Sequence, residues 1–282
     1  MSTAQTLVLG ALAGSTLLLG LPMGRVRTTD TRVRAALSSL ACGILVFLLA
    51  DVLVHAVEPV EEALTTASDG GSWGTFAGLA VLLGGGLVAG MTSLLYYEFW
   101  VGGRRRRSPL IGPGAAAVEE FESRTWVLSL SPARRLALLI ATGIGLHNFG
   151  EGLTIGQSAA AGETALALTL IVGFGLHNAT ESFGIVGPMT SEPDLPSWRF
   201  LGLLGLIGGG PTFLGTVVGH AWVSEAVSVA FFAVAAGSIL YVVQELLTVN
   251  RRFGHPALVT WLLLFGLLLG YATDFVVELA GG

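Results

Sequence analysis

Eight stretches of the chain, roughly residues 5–22, 35–57, 73–99, 133–160, 164–189, 199–221, 226–248 and 256–280, are long and apolar enough to cross a bilayer. A span needs about 20 mostly apolar residues for about 30 Å of hydrocarbon. Charged residues make up only 12 % of the 282, against roughly 25 % in a soluble domain. Too little charge is present to cover a water-facing surface, and too much apolar surface for disorder. The pattern predicts an all-α integral membrane protein of eight transmembrane helices, a single transmembrane domain over 1–282. Cys42, the one cysteine, lies inside an apolar run, so neither a disulfide framework nor a cysteine metal site is expected. All 14 basic residues are arginine, which excludes a Walker lysine and Schiff-base chemistry. No basic tract points to nucleic acid.

The first stretch has no basic residue before it, and Arg25 and Arg27 follow it, so it reads as a retained helix rather than a signal peptide. Arginines occur only in alternate connections: at 25, 27, 32 and 34, from 104 to 135, at 199, and at 251 and 252. The other connections carry Glu58, Glu61, Glu62, Asp69, Glu163 and Glu225. The positive-inside rule makes the arginine side cytoplasmic and puts both termini outside. With no transit peptide, the expected location is the cell membrane. Residues 101–132 read as a flexible cytoplasmic loop, with a short amphipathic helix around 117–129. Its arginines serve as topology anchors beside anionic lipid, a regulatory role being the weaker reading.

The informative residues lie inside the membrane. The fourth span contains GIGLHNFGE (143–151) and the fifth GFGLHNATE (173–181), identical at six of nine positions. His147 and Glu151 are four residues apart and share a helix face, with Asn148 three residues from Glu151. The same holds for His177, Asn178 and Glu181. Folding the hairpin about residues 162–164 sets Glu151 level with His177 and His147 level with Glu181. At about 1.5 Å per residue, Glu151 then lies about 15 Å below the outer helix end, near mid-bilayer.

A lone polar residue in a span is commonly helix–helix glue. A carboxylate at the helix centre costs about 2.5–3.5 kcal/mol, and two of them, each paired with histidine, point to function. Two neutral imidazoles and two carboxylates form a four-ligand shell of charge −2, matched to a divalent ion. Zinc accepts this set, with Fe²⁺, Mn²⁺, Co²⁺ and Cd²⁺ left open. Gly143, Gly145, Gly173 and Gly175 are expected to let the fourth and fifth spans approach closely.

These paired motifs resemble the fourth and fifth spans of ZIP zinc/iron-type metal transporters. HNFGEG (147–152) matches His-Asn-x-Pro-Glu-Gly at five of six positions, and HNATES (177–182) matches its counterpart less fully. DVLVHAVEP (51–59) and AAGSILYVVQEL (235–246) resemble the ends of the family's second and seventh spans. The resemblance implies a 3+2+3 helix arrangement and a homodimer. It implies a metal centre of His147, Glu151, His177 and Glu181, with Asn148 and Asn178 beside a second metal position. It further implies Asp51 and His55 on the outer approach and Glu245 on the exit side. Four positions depart from the pattern. Gly150 and Thr180 replace the family's prolines, predicting softer kinks. Gly210 stands before Pro211 where a bacterial branch has Glu, and Asn178 stands where that branch has Asp. With two fewer carboxylates, one occupied position is the preferred reading.

Asp51, His55 and Glu58 form one stripe on the second span, read equally well as a metal-capturing vestibule or an interfacial polar end. His220 and His255 read as interface residues, and Glu98, Asp274 and Glu278 as span-end residues that snorkel to water. Gly208 to Pro211 resembles the helix breaks that line transporter sites. The leading expectation is an ATP-independent carrier bringing a divalent metal ion, zinc first, into the cytoplasm by alternating access. In it spans one, four, five and six move against two, three, seven and eight. The protein is then not an enzyme. The alternatives are an intramembrane metal-dependent hydrolase using the same His/Glu centre and a metal sensor that binds without conducting. A catalytic zinc keeps three protein ligands and an open position, so four near-symmetric ligands favour transport.

Overall fold

The computed structural model describes residues 2–26, 30–105, 126–162, 164–192, 194–222 and 224–281. The side chains of Glu98, His177, Thr180 and Glu278, and Glu163, Arg27 and most of the 101–132 loop, lie outside the described residues. Eight long helices follow in order: α1 Thr3–Ser15, α2 Thr31–Ser68, α3 Trp73–Arg105, α4 Pro132–Ala160, α5 Thr164–Val186, α6 Trp198–Ala221, α7 Glu225–Arg251 and α8 Pro256–Gly281. Short turns prolong α1 (Leu17–Gly20, Leu21–Arg25) and α5 (Gly187–Ser191). No strand occurs among the described residues. Seven helices there are long and apolar enough to cross a membrane, α1 being counted through Arg25 and α5 not among them. The chain is a multi-pass membrane protein.

Helix starts follow ordinary capping chemistry. Ser2 and Gln5 form a reciprocal capping box on α1, and Asp30, Ser131 and Ser197 accept first-turn N–H groups of α2, α4 and α6. The α4–α5 connection turns tightly at Gly162, whose φ of 86° is costly for residues bearing a Cβ. At the opposite end Glu192 accepts from Arg134 Nε at 3.0 Å and from the Ser131 hydroxyl. Both ends of the α4–α5 pair are thereby tied.

Two boundaries differ from expectation. The span predicted to end at residue 57 continues to Ser68, giving α2 38 residues, about 57 Å and nearly twice the hydrocarbon thickness. Pro59 is tolerated inside it, since only the His55 carbonyl loses its helical donor. Glu58, Glu61 and Glu62 therefore ride on a projecting helix rather than in a loop. Likewise α3 runs on to Arg105. The amphipathic helix expected around 117–129 is described only as a single turn, Trp126–Ser129.

Packing sorts the helices into two groups. α1, α4, α5 and α6 pack together, with α4 against α6 along nearly its whole length. α2, α3, α7 and α8 form the second group, joined to the first through α4–α7, α2–α5 and α5–α8. Glycine sets the α4–α6 distance. A Cβ at Gly145, Gly152 or Gly156 would lie 2.1–2.4 Å from carbonyl oxygens of Ile207, Thr212 or Thr216. This corrects the expectation that the motif glycines bring α4 and α5 together. Gly145 faces α6, Gly143 faces Ser238 and Val242 of α7, and Gly175 faces Thr16. Residues two apart on a helix point about 200° apart, so a Gly-x-Gly pair serves two neighbours rather than one.

Candidate metal centre

The repeated motifs face inward from adjacent helices. On α4, His147, Asn148 and Glu151 are buried, as are Asn178 and Glu181 on α5, each at most 3 % exposed. His147 Nε2 lies 3.0 Å from Glu151 Oε1 and 3.9 Å from Glu181 Oε1. The shorter contact is a hydrogen bond that carries one hydrogen, on Nε2 when Glu151 is ionised and on the carboxyl when it is not. The helical i,i+4 relation makes the first contact; the antiparallel hairpin, with the level pairing expected from the sequence, makes the second. His177 is helical on α5, in the turn before Glu181, and its side chain lies outside the described residues. Among the described residues no group of three or more His, Cys, Asp or Glu side chains stands ready to hold a metal ion. What stands there is one histidine hydrogen-bonded to one carboxylate, with a second carboxylate 3.9 Å away.

The two asparagines share a second pattern. Asn148 Nδ2 donates to the Gly208 carbonyl of α6 at 2.9 Å, and Asn178 Nδ2 donates to the Ala13 carbonyl of α1 at 3.2 Å. A carbonyl accepts and cannot donate, so these contacts fix which end of each amide is nitrogen. Each Oδ1 is then left buried without a hydrogen-bond partner among the described residues. An unmet buried acceptor costs about 1–3 kcal/mol, and here it occurs twice at equivalent positions of a duplicated motif. Oxygens so held suit a cation.

Both accepting carbonyls lie where a helix is perturbed. Thr16 breaks α1: its hydroxyl donates to the Ala13 carbonyl at 2.7 Å and its N–H to the same oxygen at 3.3 Å. In α6, Pro211 has no N–H to give the Ile207 carbonyl, one residue before Gly208. The two perturbed segments cross at Gly14 and Gly209, where a Cβ on either would lie 2.1–2.2 Å from the other's carbonyl oxygen. The sequence pointed to the Gly208–Pro211 segment; it carried no sign that Thr16 breaks α1.

The outer-approach residues divide. Asp51 lines a cavity of about 30 Å³, the volume of roughly one water, together with Glu151, Gly173 and Asp274. His55 is half-exposed, its Nδ1–H donates to the Asp51 carbonyl at 3.0 Å, and its ring lies beside Phe232 with ring centres 5.4 Å apart. Asp274 on α8, expected only to snorkel, shares the Asp51–Glu151 cavity. No spacing rule ties α8 to α4, so only α2–α8 packing reveals it. Glu245 is partly buried on α7, six residues before Arg251. His220 Nε2 meets the Thr3 hydroxyl at 2.9 Å, joining the ends of α6 and α1.

No protein-family model matches this chain, and no curated protein matches it in sequence.

Proposed function

We propose that the protein carries divalent metal ions, zinc foremost, across the membrane into the cytoplasm, as its motif resemblance to ZIP transporters implies. The observation that carries this reading is the buried His147, 3.0 Å from Glu151 and 3.9 Å from Glu181 in a multi-pass membrane protein, together with two asparagine oxygens that have no hydrogen-bond partner among the described residues. Charge buried at this depth is costly unless it is neutralised, and a divalent cation neutralises two carboxylates at once. His147 would offer the metal its Nε2 lone pair as a neutral imidazole with its hydrogen on Nδ1, and His177 completes a four-ligand shell. Asn148 and Asn178 offer neutral oxygens at a second, weaker position.

In this reading α5 is the eighth span, both termini are outside, and the helices follow the 3+2+3 arrangement in a homodimer at the cell membrane. α1, α4, α5 and α6 move as a unit against α2, α3, α7 and α8, a division supported by the packing groups and by the glycine-set contacts within the first. Metal arrives through the Asp51–Asp274 cavity, the projecting acidic end of α2 raises the local cation concentration, and Glu245 lies toward the exit. The chemistry is transport rather than catalysis.

The decisive experiment is metal flux into proteoliposomes holding purified protein and a zinc-sensitive dye, without ATP. Zinc entry above protein-free vesicles, lost in Glu151→Ala and Glu181→Ala, is the expected result. Metal binding without flux would make the protein a sensor, and neither would remove the assignment.

A further inference from the structure

The lipid-facing side of the α1–α6 pair is not filled by protein. An open groove of about 780 Å³ runs between them, with Gly14, Gly202, Gly205, Gly209 and Pro211 among its lining residues and Leu18, Leu206 and Leu214 exposed along it. It extends from Gly202 to Leu214, about 18 Å along α6, somewhat more than half of a 30 Å hydrocarbon core. A flexible hydrocarbon chain fits.

One end of the groove has a polar anchor. Gly202 lies one turn from Trp198, an exposed aromatic of the kind that marks a membrane interface. Arg25 stacks over the Trp198 ring at 4.8 Å and donates to the Pro196 carbonyl. A guanidinium has five N–H groups, so this held arginine retains donors for a phosphate.

We propose that the α1–α6 groove binds one anionic phospholipid, its phosphate at Arg25 and one acyl chain laid along Gly202, Gly205, Gly209 and Pro211. Hydrocarbon is the medium that meets an apolar groove on this face, the length corresponds to one leaflet's depth, and the cation stands at the end where a headgroup belongs. The chain lies against the α6 segment whose Gly208 carbonyl holds Asn148. The site is independent of the metal reading.

The test is native mass spectrometry of the full chain in detergent, titrated with dioleoyl phosphatidylglycerol and, separately, dioleoyl phosphatidylcholine. The expected result is one tightly held phosphatidylglycerol and weaker phosphatidylcholine. Arg25→Gln should weaken phosphatidylglycerol about fivefold, the effect of one interfacial arginine, and abolish the preference. A Cβ at Gly202 meets nothing within 4 Å, so Gly202→Phe projects into the groove without moving backbone. Gly202→Phe should weaken both lipids at least tenfold, as should Leu206→Trp at the exposed rim, while Val81→Phe on α3 changes neither. Equal affinity for the two lipids in the unaltered protein overturns the headgroup assignment. Lipid binding untouched by both groove substitutions, or a change of oligomeric state with the lipid count unchanged, overturns the site.

Discussion

Replacing Glu151 by Gln removes a buried charge while preserving volume and an oxygen that accepts from His147 Nε2, now at 3.0 Å. Fold and packing should therefore survive, and metal affinity should not. Loss of an outer partner of a metal ligand already costs 10–100-fold, so loss of an ionised ligand should cost at least about 100-fold. At zinc concentrations 100 times its Kd, the unaltered protein gains about 2.7 kcal/mol. In Glu151→Gln the same zinc is only about equal to Kd, and the gain falls to about 0.4 kcal/mol. With about 2–4 °C per kcal/mol for a chain of this size, a zinc-induced rise of about 5–10 °C in Tm should shrink to about 1–2 °C. Thermal unfolding in detergent, with and without zinc, measures this directly, and chelator should restore the metal-free value in the unaltered protein. Glu181→Gln should behave alike. A full zinc-induced shift in both variants would refute the proposal that these carboxylates hold the ion.

Asn148→Ala and Asn178→Ala should weaken zinc uptake without abolishing it, because each removes one neutral oxygen; losses equal to those of the glutamate variants at matched expression would make the second position as important as the first. Zinc affinity should climb with pH, since binding needs imidazole nitrogens free of protons; a flat profile with the membrane potential clamped would remove the histidines from the ligand set. Gly209→Ala should lower stability by about 1–3 kcal/mol, because its Cβ would stand 2.1 Å from the Gly14 carbonyl oxygen, whereas Gly202→Ala, with open space around it, should leave Tm unchanged. Asp51→Asn and Asp274→Asn should each raise the KM for zinc uptake several-fold with little change in maximal rate, as expected for residues that concentrate and pass on a cation; an unchanged KM in initial-rate measurements would exclude the cavity as the entry route.

Much of this protein is fixed by periodicity and hydrophobicity, which are properties of the chain alone. Long apolar runs must become helices in a bilayer because no water is present to satisfy their backbone groups. The duplicated His-Asn-x-x-Glu, read on a 3.6-residue helix and a hairpin turning at Gly162, placed His147 opposite Glu181 before any tertiary contact was known. Helix ends were less legible: α2 runs past Pro59 to Ser68, since propensity rather than hydropathy decides how far a helix extends into water.

Which helix meets which was decided by tertiary structure, because the bilayer gives apolar faces no preference among partners and packing alone selects them. Gly145 was legible as a close-approach residue; that it approaches α6 was not. Likewise the asparagines were legible as polar groups in a span, but only folding shows their nitrogens spent on the Gly208 and Ala13 carbonyls and their oxygens left over. Asp274 joins Asp51 and Glu151 only because α8 lies along α2. Sequence determines local geometry through the fixed rise and turn of the helix, whereas contacts between distant segments depend on which small residues let two backbones touch. Only the assembled bundle settles that.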